Sequence, residues 1–289
     1  MGTGWREFDL VVRLKNEGYI STGAIVEIGA QQLSNDVLRN REKLRQLGQA
    51  FGIADTISLP GPTESVLLHG NLEHLDSGAP PARELWKWLG FDYTAIDVDG
   101  SPGSIPLDLN FDEVPSELKK RFQLVTNFGT TEHVANQLQA FKIVHDLTAR
   151  GGVMIHHLPS QGYLNHGLMN YNMKFFWMLA RSNGYKWIYN DFTLSNEPYD
   201  LPKNISDTVR PFEESIDQRA QAYRALDCGI SVAMQKVFDI AFVPPIDINT
   251  GTVVRDKKLK RRYWTVFDPN AFKLWKLWNR WFPHLPPTW

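Results

Sequence analysis

Cysteine is almost absent from this chain. Its 289 residues include one, Cys228, which excludes an internal disulfide and any zinc site built from several thiolates. No apolar run approaches the ~18 residues that suggest a membrane span. Excess charge is missing too, with 31 Lys and Arg against 32 Asp and Glu. With 43% hydrophobic residues, the chain lacks the low hydrophobicity and high net charge of a disordered protein. There is no internal repeat, and no Pro/Gly/Ser-rich linker divides the chain. The first residues, Met1 to Glu7, do not place a basic patch before an apolar stretch, so a cytoplasmic location is expected.

The even charge balance conceals a skew. From Arg255 to Trp289 there are nine Lys/Arg and two Asp/Glu, a local charge of +7 that leaves −8 on the rest. A nucleic-acid binder spreads its basic face over the core domain, so nucleic acid is not an expected partner. In the tail, Ala271, Leu274, Trp275, Trp278, Trp281 and Phe282 recur at helical spacing, with Lys273, Lys276 and Arg280 on the other side. Such a basic amphipathic helix either lies on a membrane surface or packs its Trp face on the body or on a second copy of the chain. Packing is the expected state, because four large aromatics left in water would be an aggregation liability. The expected division is an α/β domain over 1–254, with an insert at about 33–89, and a C-terminal tail over 255–289.

The hydrophobic periodicity predicts helices over Trp5–Glu17, Asn35–Phe51, Ala82–Leu89, Glu132–Ala149 and Lys174–Ser182. Short β-branched runs predict strands at Ala24–Gly29, Tyr93–Asp97, Ile105–Leu109, Phe122–Asn127 and Gly152–His157. Later strands are expected at Lys186–Tyr189 and Ile230–Met234. Strands alternating with helices imply a doubly wound, mostly parallel sheet, which binds ligands beyond the carboxyl ends of its strands.

Polar residues fall at those ends. In Val26-Glu-Ile-Gly-Ala-Gln-Gln32, a glycine follows the first strand, where backbone can approach a nucleotide closely. Asp97 ends the second strand, where a carboxylate can take both ribose hydroxyls. Asp108 in Leu107-Asp-Leu-Asn110 can hold an adenine edge. Each also has an ordinary reading as a turn residue, and the full G-x-G-x-x-G pattern is absent, with Gln31 where a second glycine would stand.

Taken in order from about Gly18 to Tyr189, these segments resemble the class I methyltransferases that use S-adenosylmethionine. Val26-Glu-Ile-Gly29 is similar to that family's first motif, Ala95-Ile-Asp97 to the second, and Leu107-Asp-Leu109 to the adenine-side loop. Phe122 to His133 is similar to the fourth strand with its Glu-His extension, and Gly151-Gly-Val-Met-Ile-His156 to the step into the fifth. The resemblance implies a Rossmann-like fold and S-adenosylmethionine as cofactor. By that resemblance Glu27 and Gly29 face the methionine end with Ala30 and Gln31, Asp97 the ribose, and Asp108 and Leu109 the adenine, with Asn127 and Phe128 also at the cofactor. The acceptor implied is a small or carbohydrate-like molecule, methylated at oxygen or nitrogen. Two other functions share parts of the pattern: a non-catalytic binding or assembly subunit, and a nicotinamide-dependent oxidoreductase.

Four of the eight histidines, His133, His156, His157 and His166, follow the fourth and fifth strands. Histidine titrates near neutrality and suits removal of a proton from an acceptor. His157, His166 and His133 are therefore the candidate catalytic residues, whereas His156 reads as a core residue of a buried strand. A metal site from His156, His157 and His166 is not expected, because neighbouring strand residues point to opposite faces.

Overall fold

The computed structural model describes residues 2–55, 57, 80–101, 103–163, 166–194, 199–200, 224–225, 227–248 and 254–267. Seven strands form one sheet: β1 (Ala24–Ile28), β2 (Asp92–Asp97), β3 (Ser104–Pro106), β4 (Phe122–Phe128), β5 (Thr148–Gln161), β6 (Lys186–Leu194) and β7 (Cys228–Gln235). Their order is β3-β2-β1-β4-β5-β7-β6. Pairing is parallel from β3 through β5, and β7 runs antiparallel to both of its neighbours. A separate two-residue ladder joins Tyr199–Asp200 to Arg224–Ala225.

Alternation along the strands assigns side chains to two cores. Val26, Ile28, Val125 and Met154 pack with Phe141 and Val144 of α5 (Gln137–Leu147) and Phe176 and Leu179 of α6 (Met173–Asn183). Ile25, Leu124, Val153 and Ile155 face Phe8, Val11 and Leu14 of α1 (Trp5–Asn16). That second core also takes in Val37 of α2 (Asn35–Arg39), Leu44 and Leu47 of α3 (Arg41–Ala50), and Leu85 and Trp86 of α4 (Ala82–Trp88). Trp86 and Phe8 are wholly buried, each a contribution of ~1.5–3 kcal/mol.

Two expected helices begin or break at an asparagine. The helix expected over Asn35–Phe51 divides at Asn40, whose side chain accepts from Lys43 N at 3.0 Å and starts α3 as its N-cap. The one expected from Glu132 starts only at Gln137, because Asn136 caps α5. Thr131–His133 form a 3₁₀ turn instead. The third strand ends at Pro106 rather than Leu109, and proline has no N–H to continue a ladder.

Of the tail, α7 (Lys257–Arg262) is exposed. α8 (Trp264–Phe267) packs on the body: Thr265 Oγ1 donates to Ser182 O at 2.9 Å, and Trp264 stands edge-on to Phe238. The Trp-rich segment beyond residue 267 lies outside the described residues. Among those described, no helix is long and apolar enough to cross a membrane.

Two buried histidines fix the acid behaviour of the fold. His145 Nε2 donates to Ile240 O at 2.8 Å and Nδ1 accepts from Tyr185 OH at 2.6 Å, so the ring is neutral. Burial pushes the pKa values of His145 and His156 down to about 3. Between that value and the ordinary ~6.5 the unfolded chain binds protons that the folded chain refuses, so stability falls as pH drops, by up to ~1.4 kcal/mol per pH unit per histidine. Glu27, described below, works in the opposite sense between 4.5 and about 7 and offsets one histidine only. The urea midpoint is therefore expected to be lower at pH 5 than at pH 6.5; equal midpoints would show that these rings titrate freely in the folded chain.

Candidate active site

The strand order reverses between β1 and β4, and a doubly wound sheet opens its ligand crevice at that switch point. Gly29 turns the chain out of β1 with φ of +81°, a left-handed conformation that glycine adopts without strain. Its N–H donates to Ile96 O of β2 at 2.7 Å. From the β4 side, Thr130 Oγ1 donates to Ile28 O at 2.6 Å and accepts from Gln31 Nε2 at 3.2 Å. Ala30 N donates to Asp97 Oδ2 at 2.8 Å, so the end of β2 also holds this turn. Asp97 is partly exposed.

Glu27 points to the α4 face and is fully buried. Its carboxyl accepts from Trp86 Nε1 at 2.7 Å, Tyr93 OH at 2.6 Å and Gln31 N at 3.4 Å. Burial raises its pKa to about 7, against the lowering effect of those donors. The geometry thus makes Glu27 a support beneath the turn, with its oxygens occupied by protein groups. Asn127 is equally buried. Its Oδ1 accepts from Thr131 N at 3.3 Å, and its Nδ2 faces Thr131 Oγ1 at 2.9 Å and His156 Nδ1 at 3.1 Å. Phe128 lies in the α1-side core. The side chains of Asn127 and Phe128 therefore brace the end of β4. The carboxyl of Asp108 accepts from Asn110 N at 2.8 Å, the turn role its neighbours allow, and Leu109 is buried beside it in the α5-side core.

Strand alternation separates the histidines as expected. His156 packs between Phe141 and Phe176. His157 faces the other way, and its Nδ1 meets the carboxyl of Glu7 on α1. Burial pushes the Glu7 carboxyl up, but the hydrogen bond and charge of His157 outweigh it and hold the group below its ordinary value. His157 therefore has one nitrogen committed to tying α1 to β5, which removes it as the leading candidate for an unencumbered base. His133 and His166 come together, their ring centroids 5.2 Å apart. Glu132 lies between them and is fully buried: its Oε1 is 3.6 Å from His166 Nε2 and 3.9 Å from His133 Nε2.

Residues 69–196, which take in β2 to β6, match the family described as Methyltransferase domain. Over this stretch of 128 of its 289 residues the chain is similar to a methyltransferase domain. Its antiparallel β7, set between β5 and β6, differs from the all-parallel 3-2-1-4-5-6 order of dinucleotide-binding dehydrogenases, so the nicotinamide alternative is set aside.

No curated protein matches the chain in sequence. Among solved structures it is similar to a SAM-dependent methyltransferase from Archaeoglobus fulgidus, at 11% identity over 79% of this chain and 94% of that one, with a TM-score of 0.36. It is also similar to phosphoethanolamine N-methyltransferase 2 from Haemonchus contortus, at 12% identity over 80% of this chain and 52% of that one, with a TM-score of 0.39. A third similar structure is the 1,6-didemethyltoxoflavin-N1-methyltransferase of Burkholderia thailandensis, at 9% identity over 80% and 77% of the two chains, with a TM-score of 0.37.

Sequence reasoning passed over Thr130, Trp86, Tyr93, Glu7 and the central place of Glu132. Thr130 and Glu132 stood inside the polar cluster after β4, and an acid beside a histidine was the available signal. Glu7 had none, because it meets His157 across 150 positions of chain.

Proposed function

We propose that this chain is an S-adenosylmethionine-dependent methyltransferase that modifies an oxygen or nitrogen of a small-molecule acceptor entering over the ends of β4 and β5. The observation that carries the reading is the asymmetry of the crevice: a backbone turn and a carboxylate on the β1–β2 side, and Glu132, His133 and His166 on the β4–β5 side. The residues fit the cofactor. The Gly29–Gln31 turn presents backbone at the switch point, and Asp97 gives one oxygen to Ala30 N and has a second for ribose hydroxyls. Asp108 and Leu109 border the adenine end. Glu27 and Asn127 act as positioning residues, through the turn and through Thr131.

S-adenosylmethionine supplies an electrophilic methyl group on a sulfonium. The chain orients the acceptor for in-line attack and receives its proton, with positioning the larger effect. His133 is suited to receive that proton. Burial pushes its pKa below the ordinary value, so the ring is neutral at pH 7 and has a free lone pair. His166 faces the same carboxylate. The same reading has the enzyme act in the cytoplasm.

Asp97→Ala tests the assignment of the β2 end. Hydrogen bonds to a charged group contribute ~1.5–3 kcal/mol, so S-adenosylhomocysteine should bind the variant at least tenfold more weakly, ~1.4 kcal/mol being a factor of ten. Calorimetry that found unchanged affinity in a folded variant would remove Asp97 from the ribose subsite.

A further inference from the structure

We infer that Glu132, His133 and His166 form a binding site for one divalent transition-metal ion. The first support is an unpartnered buried carboxylate. Glu132 is fully buried, and neither of its oxygens has a hydrogen-bond partner among the described residues; nor does His166 Nε2. Leaving such groups unsatisfied carries a large penalty, greater for charged groups. The second support is spacing. The ligand atoms of the three residues lie within 4.8 Å of one another, and the carboxylate-to-ring separations of 3.6 and 3.9 Å are too long for hydrogen bonds. An ion ~2.1 Å from each ligand holds its ligands ~3.0–3.4 Å apart, so closure brings each ring roughly 0.2–0.9 Å nearer the carboxylate and the two rings nearer each other by ~1–2 Å at most.

The backbone is built to bring these groups together. Leu168 N and Met169 N both donate to Glu132 O, at 2.8 and 3.1 Å. Gly167 packs so closely that a Cβ there would lie 2.9 Å from Glu132 Cγ and 3.1 Å from Glu132 O. Just before, Tyr163 takes a left-handed φ of +48°, a conformation rare for a bulky side chain, and its N–H donates to Asp227 Oδ1 at 2.5 Å. His166 N donates to Tyr163 O at 3.0 Å. Such local strain collects at functional sites, and here it aims His166 at Glu132.

Two imidazoles and one carboxylate favour manganese, iron, cobalt, nickel or zinc over magnesium or calcium, which prefer all-oxygen sets. Three protein ligands leave positions open, as catalytic metal sites do. With the methyl-transfer reading in place, the ion would take up the lone pair of His133 and replace it in activating the acceptor, by acidifying a bound hydroxyl. The open positions would take oxygen atoms of the acceptor, so the implied substrate class is a hydroxyl compound with a second oxygen close enough to chelate. That consequence rests on the proposed function; binding of the ion does not.

Metal-stripped full-length protein titrated with cobalt(II) tests the site directly, through visible d–d absorption and calorimetry. The expected result is saturation at one equivalent, with His133→Ala and His166→Ala each weakening binding at least tenfold and Glu132→Gln at least as much. His133 is half-exposed, so its variant is expected to fold even if Glu132→Gln does not, which circular dichroism checks. Absence of saturable binding by the wild type overturns the inference, as does equal affinity in folded His133→Ala and His166→Ala. S-adenosylhomocysteine calorimetry on the same samples reports separately on the cofactor site, so failure of one reading is distinguishable from failure of the other.

Discussion

Gly29→Val is expected to abolish S-adenosylhomocysteine binding, with an affinity loss of at least ~100-fold, or ~2.7 kcal/mol. Two effects add. A β-branched residue at the observed φ of +81° suffers left-handed strain of ~1–2 kcal/mol. A side chain here also has no space: its Cβ would overlap Thr130 Oγ1 and lie 3.0 Å from Gln31 Nε2. Thr130 is held by its bond to Ile28 O, so relief means moving either the β4 end or the turn itself. Both border the crevice, and neither carries the core. Circular dichroism should remain near native while calorimetry with S-adenosylhomocysteine shows no heat. Gly29→Ala keeps the clash without the branch, and a loss near tenfold is expected for it. Wild-type affinity in folded Gly29→Val would mean that the turn stands clear of the cofactor.

The second large effect concerns stability. Glu27→Ala removes the acceptor for two donors, Trp86 Nε1 and Tyr93 OH, and opens a hole where the side chain was wholly buried. Each stranded donor is worth ~1–3 kcal/mol, so a loss of ~3–5 kcal/mol and a melting temperature lower by roughly 10 °C are expected. Glu27→Gln separates packing from charge. The folded pKa of about 7 lies above the ordinary 4.5, so between these values the folded chain keeps a proton that the unfolded chain has lost. Wild-type stability from this group is therefore present at low pH and lost as pH rises through about 7. Glutamine has no such titration, so Glu27→Gln should gain on the wild type between pH 5 and pH 8, by up to ~3 kcal/mol. Parallel stability curves for the two proteins over that range would show that the carboxyl is charged throughout.

These effects also mark how far the sequence could be read. The strands were legible because runs such as Ala24-Ile-Val-Glu-Ile28 are β-branched and end in turn residues, and the helices because their apolar spacing is regular. Boundaries were lost where asparagine competed with the pattern. Asn40 and Asn136 cap new helices in mid-run, and nothing in apolar periodicity distinguishes a cap from a helical position. The direction of β7 was not legible, since a buried strand has the same composition in either sense. At the site, Gly29 and Asp97 were readable because they follow their strands immediately. The pairing of Glu132 with His166 depends on the close approach permitted by Gly167, a contact between loops that no local pattern encodes. The burial of Glu27 beneath Trp86 joins residues 59 positions apart, and the intervening chain shows no sign of it.

The place of β7 has a consequence for how the chain is made. Synthesis finishes β6 before β7, yet β7 sits between β5 and β6 and is paired to both. Until Gln235 has emerged, β5 has an open edge on one side and β6 has no partner in the sheet. At translation rates of ~5–20 residues per second that interval lasts roughly 2–8 s, long compared with the ~1–10 μs in which a hairpin forms. Through it the nascent protein carries two strands with unpaired edges able to recruit each other or a neighbouring chain. The last strand to arrive is thus the one that closes the sheet, and a ribosome stalled short of residue 228 would release an aggregation-prone half-sheet rather than a smaller enzyme.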